Sequence, residues 1–543
     1  MLKLDFKVPA LQKVGMLSMT AAIIAVASSS AYAEPASRYI VGFKAGADQS
    51  VSAAVIRARG NVKRKIRGMN AMSIEVSEQA LLDLRNDPSI DYVEVDAPRY
   101  LPTMESNFMD AQNLGMNTST AANPASGKDF FLGQAVPYGI KMVQADQLPN
   151  GASRTGNRKI CIIDSGYDRA HEDLNNNGNV TGEYDEGTGW WYSDENHHGT
   201  HVTGTISAVN NNGVGVVGVI SSRQLHLHIV KVFGADGWAY SSELADAANK
   251  CGDAKANIIS MSLSGPAPSL TEQMAFDALA AKGILSIAAA SNAGTSAMRW
   301  PAGYASVMSV AALDANKNWA SFSNFNSKVE IAAPGVNVLS TVPMGTASES
   351  LLSVAAVNYA PGAMTGSPNA TVTAPLANFG VGNVLNPAMA GKVCLIERGA
   401  ITFDIKVANC QASGGVAAVV YNSLGRGSFG GTLGTTVTTI PSVTASSAEG
   451  AAMLAQLGQA AKVTVRASNY AYFDGTSMAT PHVAAVAGLV WSYFPMCSAA
   501  EIRSTLDKSA EDLGAPGRDV KYGFGLVQAK AAYDRLAMYG CQN

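Results

Sequence analysis

The most constraining feature of this 543-residue chain is a serine at a glycine turn, directly before a run of small residues. The segment 474–482 reads Asp-Gly-Thr-Ser-Met-Ala-Thr-Pro-His, in which Gly475 allows a sharp turn just ahead of Ser477. The N-terminus of a helix that follows such a turn directs free amides and positive potential at an anion beside the serine. Small side chains make that helix slim enough to run through a packed domain, and they are Ala479, Ala484, Ala485, Ala487 and Gly488.

A serine nucleophile needs a base and an acid that orients the base, and two upstream segments supply them. The apolar run 159–163 predicts a buried strand that ends in the carboxylate of Asp164, at the edge where an open parallel sheet places catalytic groups. A Gly-rich turn at His198 opens a second helix of small residues. The chain order is therefore acid, histidine, serine, which differs from the chymotrypsin and α/β-hydrolase orders.

Three motifs resemble the signatures of the subtilisin-like serine proteases: Asp-Ser-Gly at 164–166, His-Gly-Thr-His at 198–201 and Gly-Thr-Ser-Met-Ala-Thr-Pro-His at 475–482. The resemblance begins at about Gln134, reaches the C-terminus and is interrupted once. It implies an α/β fold in which helices sandwich a parallel sheet. It also implies that Ser477 attacks the scissile carbonyl, His198 takes its proton and Asp164 holds the imidazole.

The resemblance extends to the oxyanion hole. Asn292, in a segment that reads Ala-Ala-Ala-Ser-Asn-Ala-Gly from residue 288, matches the side-chain donor of the family, and the Ser477 amide would be the second donor. The family usually has glycine where this chain has Ser291, and asparagine where it has Asp474. Neither departure touches the triad, so we expect a serine endopeptidase of broad specificity that cuts proteins and peptides.

Other interpretations of these residues remain open. His197, His198 and His201 suggest a metal site, although zinc would need a third ligand of suitable geometry and no HExxH helix is present. A catalytically dead binding protein is disfavoured because every triad and oxyanion position is filled. An esterase is disfavoured because the chain has no GxSxG elbow. A processing protease with few targets is not excluded by the sequence.

The resemblance also implies a substrate cleft whose edges pair with the substrate backbone, so that recognition is largely sequence-tolerant. One wall would be 262–265, the opposite wall 289–292, and the other rim 234–238. Arg299 falls near the floor of the primary pocket, where it would admit acidic side chains, and the alternative is a surface arginine that reaches solvent. The candidate contact residues are Ser262, Leu263, Ser264, Gly265, Gly234, Trp238, Ala289 and Arg299.

A calcium loop is a further implication of the resemblance. The Asn/Gly-rich segment 210–216 is similar to the family loop in which carbonyl and amide oxygens surround a hard cation. The alternative is a turn of the same composition that binds no ion. We expect structural Ca²⁺ and no organic cofactor. The candidate ligands are Gln134, Asp173 and Asn212 through side chains, and Asn210, Val214 and Val216 through main-chain oxygens.

The N-terminus predicts export. Lys3, Lys7 and Lys13 precede an apolar run at 14–27 and an Ala-Tyr-Ala sequence, which together indicate a secretory signal at 1–33. No later stretch has the roughly 18 uninterrupted apolar residues of a membrane span. The net charge of −3 gives no argument for nucleic-acid binding. We therefore expect a secreted monomer without a membrane span in its mature form.

A separate small unit is predicted at 34–100. Strand-like runs at 39–43, 72–76 and 90–95 alternate with helices around 51–60 and 78–86. This βαββαβ-like order resembles the inhibitory propeptide of subtilisin-like zymogens, whose end threads the active site and is cut by the enzyme itself. We expect the basic run 57–65 to be a solvated face rather than a binding patch. Residues 101–132, rich in Asn, Ser, Thr, Gly and Met, predict a linker.

An inserted domain is predicted at 345–469, between the catalytic segments 133–344 and 470–543. Its segments 391–399 and 414–422, together with Cys410, resemble a protease-associated domain, which is mostly β. In that family the insert is a lid or a substrate-contact module. A purely structural appendage is the alternative.

Six cysteines in an exported chain predict disulfides, for which fifteen pairings are possible. Cys394 and Cys410 are expected to pair because both lie in one small domain, and Cys497 with Cys541 would join the C-terminal helices. Cys161 with Cys251 is left by elimination. Each bond is expected to add about 2–4 kcal/mol to stability.

Overall fold

The computed structural model describes residues 37–58, 60–101, 134–148, 158–174, 178–210, 212–355, 357–399, 401–427 and 429–542. The predicted signal at 1–33 lies outside these residues, as does the predicted linker apart from Leu101. Within the described ranges, no helix has the length and apolar character needed to cross a membrane.

A small α+β unit opens the described chain. Its elements are β1 (Ser37–Phe43), α1 (Asp48–Arg57), β2 (Asn61–Lys65), β3 (Ala71–Val76), α2 (Glu78–Arg85) and β4 (Ile90–Val95). The sheet order is β2-β3-β1-β4, with β1 antiparallel to both of its neighbours. Tyr39 therefore lies opposite both Ile74 and Val95, and the apolar face packs on α1 and α2. The order is the predicted βαββαβ, and β2 falls within the basic run.

A seven-stranded sheet with helices on both faces forms the centre of the molecule, which confirms the predicted α/β architecture. The described elements of this part of the chain are β5 (Pro98–Tyr100), α3 (Tyr138–Met142), β6 (Lys159–Asp164), β7 (Val180–Gly182), β8 (Tyr184–Asp185), β9 (Gly189–Trp190), α4 (His198–Ser207), β10 (His226–Lys231), β11 (Trp238–Tyr240), α5 (Ser241–Asp253), β12 (Ile258–Met261), α6 (Leu270–Ala281), β13 (Leu285–Ala289), β14 (Val307–Leu313), β15 (Val329–Pro334) and β16 (Val338–Thr341). The strand order in the sheet is β15-β14-β13-β12-β6-β10-β7, and every neighbouring pair is parallel.

The central strand β6 shows why its run is apolar at every position. Ile160 and Ile162 face one apolar core, whereas Cys161 and Ile163 face another on the opposite side of the sheet. A parallel strand covered by helices on both faces needs apolar residues in both directions. The run ends at Asp164, which places that carboxylate at the C-terminal edge of the sheet.

The inserted unit is mostly β, as predicted. Its elements are β17 (Ala347–Val354), β18 (Val357–Tyr359), β19 (Gly362–Thr365), β20 (Ala370–Asn378), β21 (Val393–Glu397), α7 (Phe403–Ala412), β22 (Ala417–Tyr421), β23 (Gly431–Thr432), β24 (Ser442–Ala445), α8 (Ser447–Leu454) and β25 (Ala460–Ser468). The chain then returns as β26 (Tyr470–Phe473), which pairs antiparallel with β16, so that Tyr470 lies opposite Thr341. The two ends of the insert therefore leave the core side by side.

Three helices complete the chain, namely α9 (Thr476–Tyr493), α10 (Ala499–Ser509) and α11 (Ala529–Tyr539). α9 is buried from its first residue to Ser492 and passes through the core as its small residues predicted. A Cβ on Gly488 would lie 3.2 Å from Ile160 Cδ1 and 3.3 Å from Ile220 Cδ1. The absent side chain is therefore what lets this helix approach the sheet so closely.

Disulfides join Cys161 to Cys251, Cys394 to Cys410 and Cys497 to Cys541, which confirms all three predicted pairs. The first ties β6 to α5 and the second ties β21 to α7. The third joins the segment after α9 to the end of the chain.

Candidate active site

The predicted acid and base are in direct contact. His198, the first residue of α4, has its Nδ1 2.8 Å from Asp164 Oδ1, and this oxygen also accepts the Ser165 amide at 2.8 Å. Both side chains are almost fully buried, with 4% and 0% exposed. His198 Nε2 makes no hydrogen bond within the described part of the chain. The imidazole is therefore held by its Nδ1 side, while Nε2 is open to a proton donor.

Ser477 lies at the start of α9, one residue into the helix. Its hydroxyl donates to the carbonyl of Ser262 at 3.2 Å, and the Ser262 hydroxyl donates back to the Ser477 carbonyl at 2.8 Å. The turn ahead of it needs glycine, because Gly475 has φ +154° and a Cβ there would lie 3.0 Å from Asn292 Nδ2. The serine is thus fixed at a helix N-terminus beside the cleft wall predicted at 262–265.

Asn292 stands next to this turn in a defined orientation. Its Oδ1 accepts hydrogen bonds from the Thr476 amide at 2.9 Å and the Thr476 hydroxyl at 2.7 Å. Because the amide of Thr476 can only donate, the oxygen of Asn292 must face it, and Nδ2 is directed elsewhere as a donor. The preceding Ser291 has φ +90°, a backbone conformation that favours glycine. This explains why the family usually has glycine there.

The start of α4 is fixed by Asp194, which the sequence does not single out. Asp194 accepts the Thr200 amide and the Ser165 hydroxyl, each at 2.8 Å. Ser165 in turn accepts the Gly199 amide at 2.8 Å. These bonds satisfy free amides of the first turn of the helix and so position His198. The sequence signal for this role was an aspartate four residues before His198, the first residue of the helix.

The other histidines of the motifs have structural partners. His201 Nε2 lies 3.0 Å from the Val338 carbonyl and 3.1 Å from the Ala471 carbonyl, and its ring stacks on Phe473 at 4.3 Å. Burial lowers the pKa of His201 to about 3, so the ring is neutral and donates from Nε2. Within the described residues, no group of three or more His, Cys, Asp or Glu side chains is arranged to hold a metal. The metal-site interpretation of these histidines therefore has no support.

An extended segment of the same chain lies between the two predicted rims of the cleft. β5 pairs antiparallel with β11, so that Pro98 is opposite Tyr240. On its other side, Tyr100 donates to the Ser264 carbonyl at 2.8 Å and accepts the Ser264 amide at 2.9 Å. Leu101 donates to the Gly237 carbonyl at 3.1 Å. The rims at 234–238 and 262–265 therefore hold a strand by main-chain bonds on both edges, as β-augmentation requires.

The remaining predicted contact residues line the same region. Gly265 and Trp300 exchange main-chain hydrogen bonds of 2.8 and 3.1 Å. Leu263 and Ala289 are fully buried, the latter at the end of β13, and Gly234 accepts the Gly237 amide at 3.2 Å. Arg299 is 7% exposed. The alternative of a surface arginine that reaches solvent is therefore wrong.

The candidate calcium ligands gather around Gln134. Its Nε2 donates to Asn212 Oδ1 at 3.0 Å and to the Val216 carbonyl at 3.2 Å, and also to the Val209 carbonyl. Asp173 accepts Asn212 Nδ2 at 2.6 Å and the Val216 amide at 2.8 Å. Burial raises the pKa of Asp173 to about 6, despite these hydrogen bonds.

The rest of the predicted calcium set lies in the same loop. The Asn210 amide donates to the Ser221 carbonyl at 3.1 Å, and the Val214 amide donates to Asn212 Oδ1 at 3.2 Å. The Val209 carbonyl was missed by the sequence analysis, because a main-chain oxygen can come from any residue type.

The N-terminal unit holds the catalytic unit through the starts of two helices. Asp96 accepts the Ser242 amide at 2.9 Å and the Ser241 hydroxyl at 3.0 Å at the start of α5. Glu94 accepts the Leu270 amide at 2.6 Å and the Thr271 amide at 2.9 Å at the start of α6. Carboxylates at these positions satisfy free amides and interact favourably with the helix dipoles. The two units are therefore joined by directed polar contacts.

Ionic contacts add to this interface. Arg99 and Glu272 form an ion pair in which both side chains are 0% exposed. Arg64 bonds to Asp185 through two parallel contacts of 2.8 and 2.9 Å and to Asp246 at 3.0 Å. The expectation that the basic run 57–65 is a solvated face is therefore wrong for Arg64. It holds for Arg57, whose side chain is 68% exposed.

Comparison with known proteins gives consistent matches. A family model described as the subtilase family matches residues 156–376 and 419–525, and one described as the PA domain matches 355–453. An alkaline protease of Shouchella clausii is 33% identical over 353 residues, which cover 61% of this chain and 82% of the relative. Subtilisin E of Bacillus subtilis (strain 168) is 33% identical over 319 residues, covering 57% of this chain and 74% of the relative.

Two solved structures are also similar. The psychrophilic subtilisin-like protease Apa1 from the Antarctic psychrotroph Pseudoalteromonas sp. AS-11 has 40% identity and a TM-score of 0.60, covering 75% of this chain and 99% of Apa1. Fervidolysin from Fervidobacterium pennivorans, described as a keratinolytic enzyme related to subtilisin, has 22% identity and a TM-score of 0.59. The aligned region covers 92% of this chain and 61% of the fervidolysin chain. At that identity fervidolysin supports the fold alone.

Proposed function

This chain belongs to the subtilase family and is a serine-type endopeptidase, and from that premise we propose that Asp164, His198 and Ser477 are its catalytic triad, with Asn292 as oxyanion donor. The observation that carries the proposal is the 2.8 Å contact between His198 Nδ1 and Asp164 Oδ1 at the sheet edge. It leaves Nε2 of the same ring for the serine.

The chemistry follows from these positions. Ser477 Oγ exchanges its bond to the Ser262 carbonyl for one to His198 Nε2, gives up its proton there and attacks the scissile carbonyl. Asp164 keeps the proton of the neutral ring on Nδ1 and stabilises the imidazolium that forms. The developing oxyanion is bound by Asn292 Nδ2 and by the Ser477 amide at the start of α9. His198 then protonates the leaving amine, and water repeats the sequence to release the acyl product.

A fluorophosphonate reagent tests the nucleophile directly, because it reacts with serines activated by a neighbouring base. We expect a single adduct on intact mass, mapped to Ser477 by peptide digestion. His198→Ala should abolish the adduct while Ser477 is still present, since the hydroxyl is then not activated. Pre-denatured protein is the control. An adduct on another serine, or equal labelling of the His198 variant, would contradict the assignment.

We propose that the substrates are extended protein and peptide segments of varied sequence. The support is the strand β5, which is held on both edges by main-chain bonds at Trp238–Tyr240 and Ser264. Main-chain pairing does not depend on side-chain identity, so it favours broad specificity. A protease with few targets is the alternative, and the residues that would narrow the pocket, Arg299 foremost, can be tested one by one.

Arg299 is proposed to lie at the floor of the primary pocket and to admit acidic side chains. We expect Arg299→Gly to lower the ratio of cleavage after Glu to cleavage after Phe roughly tenfold, because a hydrogen bond to a charged group contributes about 1.5–3 kcal/mol. The measurement is kcat/KM on two peptides that differ only at that residue. Arg299→Lys, which keeps the charge, is the matched control. An unchanged ratio in Arg299→Gly would contradict this proposal.

We propose that residues 34–100 are an inhibitory propeptide and that the exported precursor cuts itself. Support comes from the occupation of the cleft by β5 and from the carboxylates of Glu94 and Asp96 at the starts of α6 and α5. Three disulfides are consistent with a secreted protein. The proposed catalytic segments are 133–344 and 470–543, and the protein is proposed to act as a monomer.

The inserted domain at 345–469 is proposed to contact long substrates or to act as a lid. The family model for the PA domain supports its identity, since it matches within this segment. Unchanged kinetics on long protein substrates after removal of the insert would favour the alternative of a structural appendage.

Structural calcium is proposed in the 210–216 loop. The residues fit a hard cation, since oxygens of Val209, Asn212 and Val216 surround Gln134 Nε2, and a half-turn of the Gln134 amide would bring its own oxygen beside them. The carboxylate of Asp173 lies behind Asn212 and would balance the charge. Bound there, the ion would join the loop to the segment at Gln134.

Chelation tests this site. Removing free Ca²⁺ is expected to lower Tm, because a ligand at 100 times its Kd contributes about 2.7 kcal/mol to stability. Asp173→Asn should remove most of the difference between chelator and added Ca²⁺. Asp277→Asn, which deletes an exposed carboxylate on α6, should keep it. If chelator leaves the wild-type Tm unchanged, the loop binds no ion.

A further inference from the structure

The proposed propeptide places an arginine in a built pocket of the catalytic unit. Arg64 donates from its two terminal nitrogens to Asp185 at 2.8 and 2.9 Å, and one of them, Nη1, also donates to Asp246 at 3.0 Å. The Asp185 and Asp246 side chains are 11% and 7% exposed. The Gly187 amide also donates to Asp185 Oδ1 at 2.9 Å, which fixes the carboxylate. Paired, parallel contacts of this kind favour guanidinium over ammonium.

Electrostatics at this pocket depend on the arginine. Burial opposes ionisation of Asp185, but the hydrogen bonds and charge of Arg64 outweigh it and hold the pKa of Asp185 below its usual value. Lys250 lies 3.1 Å from the same carboxylate and 3.5 Å from that of Asp246. One lysine between two aspartates leaves a net negative charge when Arg64 is absent.

A second propeptide arginine lies nearby on the catalytic unit. The guanidinium of Arg38 is 3.9 Å from the centre of the Tyr240 ring and donates to Glu243 at 3.0 Å. A cation over an aromatic face with a carboxylate beside it is a recognition site for arginine in its own right. The rings of Trp238 and Tyr240 contact each other edge to face at 4.9 Å, which holds this surface in place.

Both arginine positions open into one cavity of about 200 Å³ that reaches the rim of the cleft. Gly234 and Trp238, which belong to the rim, line it together with Asp185, Asp236 and Glu243. With the propeptide gone, the charged groups that line the cavity would be the carboxylates of Asp185, Asp236 and Glu243. Lys250 lies beside Asp185 and Asp246, so the charge of this region would be negative. The cleft and this acidic cavity are therefore continuous.

The path of the chain shows which part of a substrate would reach the cavity. Pro98 pairs with Tyr240, and the next residue upstream, Ala97, accepts the Ser241 amide at 2.7 Å. Asp96 then lies on Ser242. Each step upstream thus moves one residue along the start of α5, towards Glu243 and Asp246. A substrate strand in the place of β5 would carry its more upstream side chains over the cavity.

We propose that in the matured enzyme this acidic cavity is a second substrate-binding site, which holds an arginine side chain several residues upstream of the cut. The propeptide arginines occupy it in the precursor, and their departure frees it. The inference rests on the proposed function, because it needs both the loss of the propeptide and cleavage of polypeptides. It adds a basic upstream preference to a cleft that otherwise binds main chain.

The test uses matured wild-type enzyme and internally quenched peptides that share one cleavable core. An arginine is moved through positions four to ten upstream of the scissile bond, and each peptide has a partner with citrulline, the neutral isostere, at the same place. We expect kcat/KM to be roughly tenfold higher for the best arginine peptide, mainly through KM, which corresponds to one charge-assisted contact. Lysine should give a smaller gain, and 1 M salt should reduce it.

Variants locate the effect. Asp185→Asn combined with Asp246→Asn should bring the arginine and citrulline peptides to equal kcat/KM, whereas Asp277→Asn, which removes one exposed carboxylate on α6, should keep the difference. The paired variant also weakens the binding of Arg64 in the precursor, and this can change the fraction of molecules that mature. Each rate is therefore divided by the concentration of matured enzyme, which is measured by active-site titration. If that variant does not mature, the wild-type comparison decides alone.

The outcomes separate the two proposals. Equal cleavage of arginine and citrulline peptides at every position would overturn the second site and leave the proposed function standing. An arginine preference that survives in the paired aspartate variant would also overturn it. Failure of wild-type enzyme to cut any peptide would overturn the proposed function, and the second site with it.

Discussion

Replacing Ser477 by alanine is expected to lower kcat about 10⁶-fold, a magnitude taken over from subtilisin, and to leave the precursor uncut. The reason is that the hydroxyl oxygen of Ser477 forms the covalent bond to the substrate, whereas the oxyanion donors and the cleft remain in the variant. The full precursor is expressed with Ser477 and with Ser477→Ala, and propeptide release is followed by intact mass. Casein hydrolysis is measured on the same samples by fluorescence.

The controls make this result decisive. The alanine variant should keep the wild-type Tm, since the hydroxyl makes one hydrogen bond to the Ser262 carbonyl, and Asp277→Asn should mature and hydrolyse casein normally. Maturation of the wild type alone establishes self-processing. Equal processing of both forms, with no hydrolysis by either, would mean that another protease cuts the precursor, and would bring the binding-protein interpretation forward.

Asp164→Asn is expected to lower kcat about 10⁴-fold while KM changes little. The asparagine amide would donate to His198 Nδ1, which moves the ring proton to Nε2 and removes the base from the serine. With the amide nitrogen in the place of Oδ1, the variant loses the hydrogen bond from the Ser165 amide at 2.8 Å, so we also expect a slightly lower Tm. The fold should persist, because the hydrogen bonds of Asp194 at the start of α4 remain. Steady-state kinetics on a short chromogenic peptide measure both constants.

A matched aspartate distinguishes this role from general destabilisation. Asp194→Asn removes a carboxylate that bonds to Ser165 and Thr200 but does not contact the imidazole. It should lower Tm more and kcat less than Asp164→Asn. A loss of only tenfold in Asp164→Asn, or an equal loss in both variants, would show that Asp164 acts by supporting the helix start rather than by orienting the ring.

The proposed triad could be predicted because each member lies where the local sequence marks the end or the start of an element. Asp164 ends an apolar run, Ser477 follows the glycine turn at Gly475, and His198 begins a run of small residues, so that periodicity and turn chemistry suffice. The three motifs and their order along the chain then indicated the family. The parallel sheet follows from the same runs, since strands buried on both faces read as continuous apolar stretches.

Contacts between distant segments were not predictable in this way. Arg64 finds Asp185 and Asp246, which are 121 and 182 residues away, and nothing in a basic run states which carboxylates will face it. The burial of Arg299 likewise depends on the segments that close around it. Main-chain ligands such as the Val209 carbonyl leave no signal at all, because every residue type has one.

The ends of the inserted domain have a consequence for how this enzyme can be built. Thr341 lies opposite Tyr470, so a chain of more than a hundred residues occupies the place of a hairpin turn between β16 and β26. Asn469 fastens this place, because its carbonyl accepts the Val342 amide at 2.8 Å and its side chain bonds to Glu172 at 2.8 Å. The inserted domain is therefore attached to the catalytic unit through the paired strands β16 and β26. It can be replaced by a short turn or by another domain without a change in the strand order of the catalytic sheet.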